Sequence, residues 1–205
     1  MRAQAISLDG LVGEVAELVV ARAGRVRLMI DGPPPTHPLE LAERVAGELR
    51  TLGRAVVVVA AAEFLRPASV RLERGRDDPD ELLDTWLDEA GLRREVLDPA
   101  GEGGSGRVLP RLWNAATDRA FRDDYVTLPD TGVAVVAGAL LLGRGLPVDV
   151  AVHLRMGGAA LRRYLPPDEH WTLPAYARYE DERDPAGAAD LLVLADHPDR
   201  PAVRR

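Results

Sequence analysis

Apolar residues fall into two alternating patterns along the chain. Leu11, Val15, Leu18 and Val19 recur at helical spacing over about Leu8 to Ala23, the stripe of a helix packed on a core. Arg25 to Ile30 follows as a short strand ending at Asp31-Gly32. Leu41, Val45, Leu49 and Leu52 then predict a helix from Pro38 to Leu52, with Pro38 suited to a first turn and Gly53 to a stop. Ala55 to Ala61 is continuously apolar, as expected of a strand buried on both faces of a parallel sheet. Val133 to Ala137 and Val148 to Leu154 read likewise, and Asp190 to Ala195 closes the series. The intervals between strands are long enough for crossover helices. The expectation is therefore an α/β three-layer sandwich with a mainly parallel five-stranded sheet.

Two stretches interrupt the alternation: an Arg-rich loop at about 66–78 and a Gly-rich, aperiodic one at about 98–130. Loops of this length in a compact domain are usually functional or mobile. At 205 residues and 46% hydrophobic, the chain is expected to form one domain. No apolar run approaches the ~18 residues of a membrane span, and a soluble cytoplasmic protein without membrane contact is expected. Zero cysteines remove disulfides, thiolate metal sites and cysteine nucleophiles from consideration. There is no lysine, so all 26 basic residues are Arg and Schiff-base chemistry is absent too. With a net charge of −7 and no long basic run, nucleic acid is not expected as a partner.

The turn after the first buried strand reads Asp31-Gly32-Pro33-Pro34-Pro35-Thr36-His37-Pro38-Leu39. A phosphate-binding loop at this point needs converging backbone N–H groups, a lysine for the outer phosphates and a Ser or Thr hydroxyl for magnesium. Set against G-x-x-x-x-G-K-S/T from Gly32, the second Gly falls on His37, the Lys on Pro38 and the hydroxyl on Leu39. Proline contributes no N–H.

The order of Asp31-Gly32, Glu63-Phe64-Leu65-Arg66-Pro67, Arg71 to Pro79, Leu97-Asp98-Pro99, Val135-Val136-Ala137-Gly138, Asp184-Pro185 and Ala189-Asp190 resembles the uridine kinase-like branch of the P-loop kinases, in its short bacterial form. The resemblance spans nearly the whole chain. It implies a P-loop kinase fold with a lid-like region at about 157–184, and an activity that passes the terminal phosphoryl group of a nucleoside triphosphate to a nucleoside 5′-hydroxyl with magnesium. The reacting positions depart from that pattern. Asp31, Gly32, Thr36 and His37 stand in a degenerate phosphate loop. Ala62 replaces an acid two places before Phe64, and Ala137 replaces the acid before Gly138. Glu63 is the candidate catalytic carboxylate, although on a strand its side chain would face away from the Ala62 side unless the chain bends.

The resemblance places Arg71, Arg74 and Arg76 beside the nucleoside pocket, and Arg162, Arg163 and Arg178 in or after the lid, where arginine can fork onto an anion. The alternative for each is a solvated charged surface. His37, His153, His170 and His197 lack ligand spacing, so no metal site is expected; His153, in a predicted strand, reads as a packed residue. Thr36 is a candidate cap for the helix at Pro38. Gly101 to Gly106 mimics a phosphate loop but precedes no periodic helix and reads as a flexible loop. Asp123-Asp124 and Glu180-Asp181-Glu182 read as solvated acids, and Trp86, Trp113 and Trp171 as core or lid anchors. Losing donors, lysine, hydroxyl and both acids removes most of what phosphoryl transfer requires. The expectation is a binding or regulatory protein, a homodimer being one possibility, with a small anionic ligand or a nucleoside at the carboxyl ends of the strands and no cofactor. The alternative is a working nucleoside kinase with a lysine-free phosphate site, using ATP and magnesium.

Overall fold

The computed structural model describes residues 3–204. In chain order the elements are β1 (Ala3–Ala5), α1 (Leu8–Val20), β2 (Val26–Asp31), α2 (Pro38–Thr51), β3 (Val56–Ala60), α3 (Ala68–Arg71), α4 (Pro79–Asp84) and α5 (Glu89–Leu92). Short strands β4 (Arg107–Val108), β5 (Trp113–Asn114), β6 (Arg119–Ala120) and β7 (Val126–Thr127) follow, then β8 (Val133–Gly138), β9 (Val150–Arg155), α6 (Gly158–Tyr164), α7 (Leu173–Arg183), α8 (Pro185–Ala188), β10 (Leu191–Leu194) and β11 (Ala202–Arg204).

The sheet order is β1-β11-β10-β9-β2-β8-β3. The pairs among β10, β9, β2, β8 and β3 are all parallel. These five are the strands expected from the apolar runs. β11 and β1 extend the sheet by two antiparallel strands; three residues each, they are too short to show a period in the sequence. α1 likewise ends three residues before the expected Ala23.

Side-chain alternation along the parallel strands divides the core into two layers. Val26, Leu28, Ile30, Val133, Val135, Val150 and Val152 pack with Leu11, Val15 and Val19 of α1 and Leu41, Val45 and Leu49 of α2. Met29, Val57, Val59, Ala134, Val136 and Ala151 face the other way, against Leu83 of α4, Leu92 of α5, Val96, and Ala175 and Tyr179 of α7. The central runs of β8 and, His153 apart, β9 are continuously apolar because both faces are covered, whereas β3 at the sheet edge alternates buried with partly buried residues. Met156, Ala160, Leu161 and Leu165 make a third, small cluster beneath α6, with Leu173 and Tyr176 packed against it.

The interrupting stretches contain structure that composition concealed. The 66–78 segment includes α3. The 98–130 segment folds back as two ribbons, β4 with β7 and β5 with β6. Its Gly-rich turn, expected as a free loop, seats two arginines: a Cβ on Gly101 would lie 3.0 Å from Arg27 Nη1, and one on Gly106 would lie 3.0 Å from Arg25 Nη2. Arg25 donates to the Gly104 carbonyl at 2.8 Å. Among the described residues, no helix is long and apolar enough to cross a membrane.

Candidate binding site

The turn after β2 closes on itself. Gly32 N–H donates to the Gly138 carbonyl at 2.9 Å, Thr36 N–H to Pro33 at 2.9 Å and His37 N–H to Pro34 at 3.0 Å. Pro33, Pro34, Pro35 and Pro38 have no amide hydrogen, so every backbone donor from 32 to 38 is already bound to a carbonyl. The Thr36 hydroxyl donates to the Pro33 carbonyl at 2.8 Å instead of capping α2, contrary to expectation. His37 takes the N-cap position in a left-handed conformation (φ 53°, ψ 52°) and gives α2 no side-chain bond. Only glycine fits at 32: a Cβ there would lie 2.5 Å from Thr36 Oγ1 and 2.7 Å from Leu154 Cβ.

One residue earlier, Asp31 is fully buried. Its Oδ1 accepts from Leu141 N–H at 2.8 Å, and its Oδ2 accepts from His153 Nδ1 at 2.7 Å and from the Tyr179 hydroxyl at 3.0 Å. Tyr179 in turn accepts from Leu142 N–H at 2.7 Å. The far nitrogen of His153 meets Glu180 Oε1 at 3.1 Å, while Glu180 Oε2 accepts from Arg155 at 2.8 Å. Burial disfavours a charged imidazole, but the bonds to Asp31 and Glu180 prevail and raise its pKa to about 9. The ring then carries both protons and donates from both nitrogens. Burial would raise the Glu180 pKa, yet its bonds to His153 and Arg155 hold it below the usual value. Burial beside Asp31 raises the Tyr179 hydroxyl, keeping it protonated. The chain of contacts fastens α7 to the ends of β2 and β9.

Two adjoining clefts open at the carboxyl ends of the parallel strands. The outer one, about 710 Å³, lies between the ends of β2 and β9 and helices α6 and α7; its walls include Asp31, His153, Arg155, Arg162, Glu180 and Asp181. The inner one, about 480 Å³, lies over the ends of β3 and β8, on Ala60, Ala61, Ala62, Ala137 and Ala139. Gly32, Leu140 and Tyr176 line both. Tyr176 therefore forms part of the partition between them. Burial, with Asp31 and Glu169 adding to it, raises the Tyr176 pKa and keeps its hydroxyl protonated.

The sequence candidates separate in space. Asp31, Gly32 and Arg162 meet at the outer cleft, and Gly32 and His37 at the inner one, while Thr36 lines neither. β3 ends at Ala60, and Ala61–Glu63 form a tight 3-10 turn, so strand alternation does not govern Glu63. The bend presents Ala62 to the inner cleft and leaves Glu63 outside it. Arg71 is buried, donates to the Arg66 carbonyl at 2.6 Å and packs its guanidinium 5.1 Å from the Trp86 ring centre. Arg74 pairs with Glu81 at 3.2 Å, and Arg76 is exposed. Arg163 donates to the Asp196 carbonyl, and Arg178 is bound by Asp80, Asp84 and Glu182. None of Arg71, Arg74, Arg76, Arg163 and Arg178 lines either cleft.

Two residues whose sequence context marks them as ordinary are central. His153 is not merely packed but bridges two carboxylates. Glu180, expected to be solvated, is half-buried between His153 and Arg155. Their 27-residue separation matches no helical or strand period, so only an intervening fold could show them as neighbours. Among the described residues, no group of three or more His, Asp or Glu side chains is arranged to hold a metal ion.

No protein-family model and no curated protein matches the chain. Solved structures do. A possible uridine kinase from Bacillus stearothermophilus superposes with a TM-score of 0.72 at 19% identity, over 90% of this chain and 98% of that one. A candidate fructose transport system kinase from Silicibacter sp. TM1040 superposes with a TM-score of 0.60 at 24% identity, over 89% and 92%. With its mainly parallel sheet between helical layers, the chain has a P-loop kinase-like α/β fold.

Proposed function

We propose that this protein uses a P-loop kinase-like fold to bind a small ligand, or a partner through that ligand site, without efficient ATP-dependent phosphoryl transfer. The observation that carries the reading is the turn at 32–38. Its remaining amide donors, Gly32, Thr36 and His37, are all bound to backbone carbonyls. A triphosphate there would exchange water for a surface with no free donor and no lysine, whereas transfer depends on charge neutralisation and positioning. The ligand class follows from what lines the outer cleft: Arg162 lies there with no described partner for its guanidinium, available to a carboxylate or phosphate. In this reading neither ATP nor magnesium is a cofactor.

A second reading is favoured by Arg155 and Arg162, which both line the cleft next to the loop. In it, arginines replace the lysine and the protein is a kinase for a nucleoside or sugar, the acceptors named for the two structural neighbours. Calorimetric titration with Mg-ATP, then with uridine and UMP, alongside an assay for ADP, separates the two. The binding reading expects no saturable Mg-ATP heat and no ADP. Uridine-dependent ADP formation overturns it.

A further inference from the structure

We infer that Glu180 sets the charge preference of the outer cleft: its carboxylate fills the anion position on Arg155 from within, so the cleft takes a ligand with one anionic group at Arg162 and rejects a polyanion. This deepens the binding reading above and rests on it.

Glu180 reaches the cleft wall from α7 and bridges two cations at the end of β9. Its Oε1 lies 3.1 Å from His153 Nε2, and its Oε2 accepts from Arg155 Nε at 2.8 Å. His153 already has a counter-charge in Asp31, 2.7 Å from its other nitrogen. Glu180 is therefore the counter-ion of Arg155, whose side chain is 44% exposed at the cleft. A second internal carboxylate acts in the same way beside α6, where Asp196 Oδ1 accepts from the Gly157 N–H at 2.7 Å. Both carboxylates are tethered, so an outside anion competes with groups held at high effective concentration.

The lining holds three cationic side chains, His153, Arg155 and Arg162, and three carboxylates, Asp31, Glu180 and Asp181. With no excess of positive charge, it cannot offset the hydration that a polyanion gives up on entry. A single anionic group can still fork onto Arg162, with the protonated Tyr176 hydroxyl as a neutral donor on the same lining. A second anionic group would meet Glu180 and Asp181.

Calorimetry of the full chain with inorganic phosphate and with tripolyphosphate, both without magnesium, tests the inference. The wild-type protein should bind tripolyphosphate no more tightly than phosphate. Glu180→Gln keeps the shape of the side chain, removes its charge and frees Arg155. It should bind tripolyphosphate at least about tenfold more tightly than the wild type, the effect of one charged hydrogen bond. Glu180→Ala, which leaves no amide oxygen to hold Arg155, should show the same gain. Asp181→Asn removes the same charge from an exposed position on the same lining but frees no arginine, and its gain should stay below about threefold. Adding Arg155→Ala to Glu180→Gln should abolish the gain, with thermal unfolding reporting that each variant is folded. A purely structural Glu180 predicts weaker binding or none in its variants, never a gain. Wild-type tripolyphosphate binding about tenfold tighter than phosphate binding, no gain in either Glu180 variant, an equal gain from Asp181→Asn, or a gain that survives the loss of Arg155 overturns the inference. Uridine-dependent ADP formation would instead strike the binding reading, and the tripolyphosphate comparison, made without nucleotide, would still report the role of Glu180.

Discussion

Asp31 and His153 face each other across neighbouring parallel strands, in register at the ends of β2 and β9, with Asp31 Oδ2 2.7 Å from His153 Nδ1. Both are buried, 0% and 1% exposed, on the sheet face that α7 covers. Tyr179 and Glu180 of α7 add one bond each, so the pair joins the sheet to the helix that walls the outer cleft.

Replacing Asp31 should be among the most damaging changes in the chain. Asp31→Ala would leave the Nδ1–H of a buried imidazolium, the N–H of Leu141 and the Tyr179 hydroxyl without their acceptor, a loss on the order of 3–5 kcal/mol. Urea unfolding measures it. A loss below about 1 kcal/mol would mean the imidazole finds other partners.

Stability should fall as the solution turns alkaline. The His153 pKa is raised in the folded state, from an ordinary 6.5 to about 9. The folded protein thus holds a proton that the unfolded chain releases. The stabilisation is fully present below 6.5, declines above it and is lost as pH rises through about 9. The groups facing the ring are Asp31 of β2, Tyr179 and Glu180 of α7 and, through Glu180, Arg155 of β9. Chemical unfolding at a series of pH values should show a decline that His153→Gln reduces. A profile identical in the variant would assign the effect to other groups.

Arg71 and Arg162 should separate by readout. Arg71→Ala removes a buried guanidinium bonded to the Arg66 carbonyl and packed on Trp86, and should cost about 2 kcal/mol of stability. Arg162→Ala, on an exposed position, should alter stability by less than about 0.5 kcal/mol and weaken binding of an acidic ligand at the outer cleft. Equal destabilisation by both would contradict this division.

The turn after β2 should resist enlargement at Gly32. Gly32→Ala forces a methyl toward Thr36 and Leu154 and should cost roughly 1–3 kcal/mol through displacement of tightly packed atoms. A neutral result in thermal unfolding would show that the proline turn yields.

The sequence determined the five parallel strands and the chemistry of the loop. Val133–Gly138 is legible because burial on both faces demands an unbroken apolar run; Val56–Ala60 is legible from the same kind of run, although at the sheet edge Val56, Val58 and Ala60 are only partly buried and the expected burial on both faces is not reached. Four prolines between 33 and 38 remove amide donors whatever the rest of the chain does. Tertiary structure decided everything that depends on register and on where a chain bends. The 3-10 turn at Ala61–Glu63 directs Ala62, not Glu63, to the inner cleft, and the docking of α4 and α7 commits Arg178 to Asp80 and Asp84. Asp31 and His153 lie 122 residues apart. The reason is geometric: helical and strand periods relate residues a few positions apart, whereas the strand order that puts β9 beside β2 exists only once the sheet has formed.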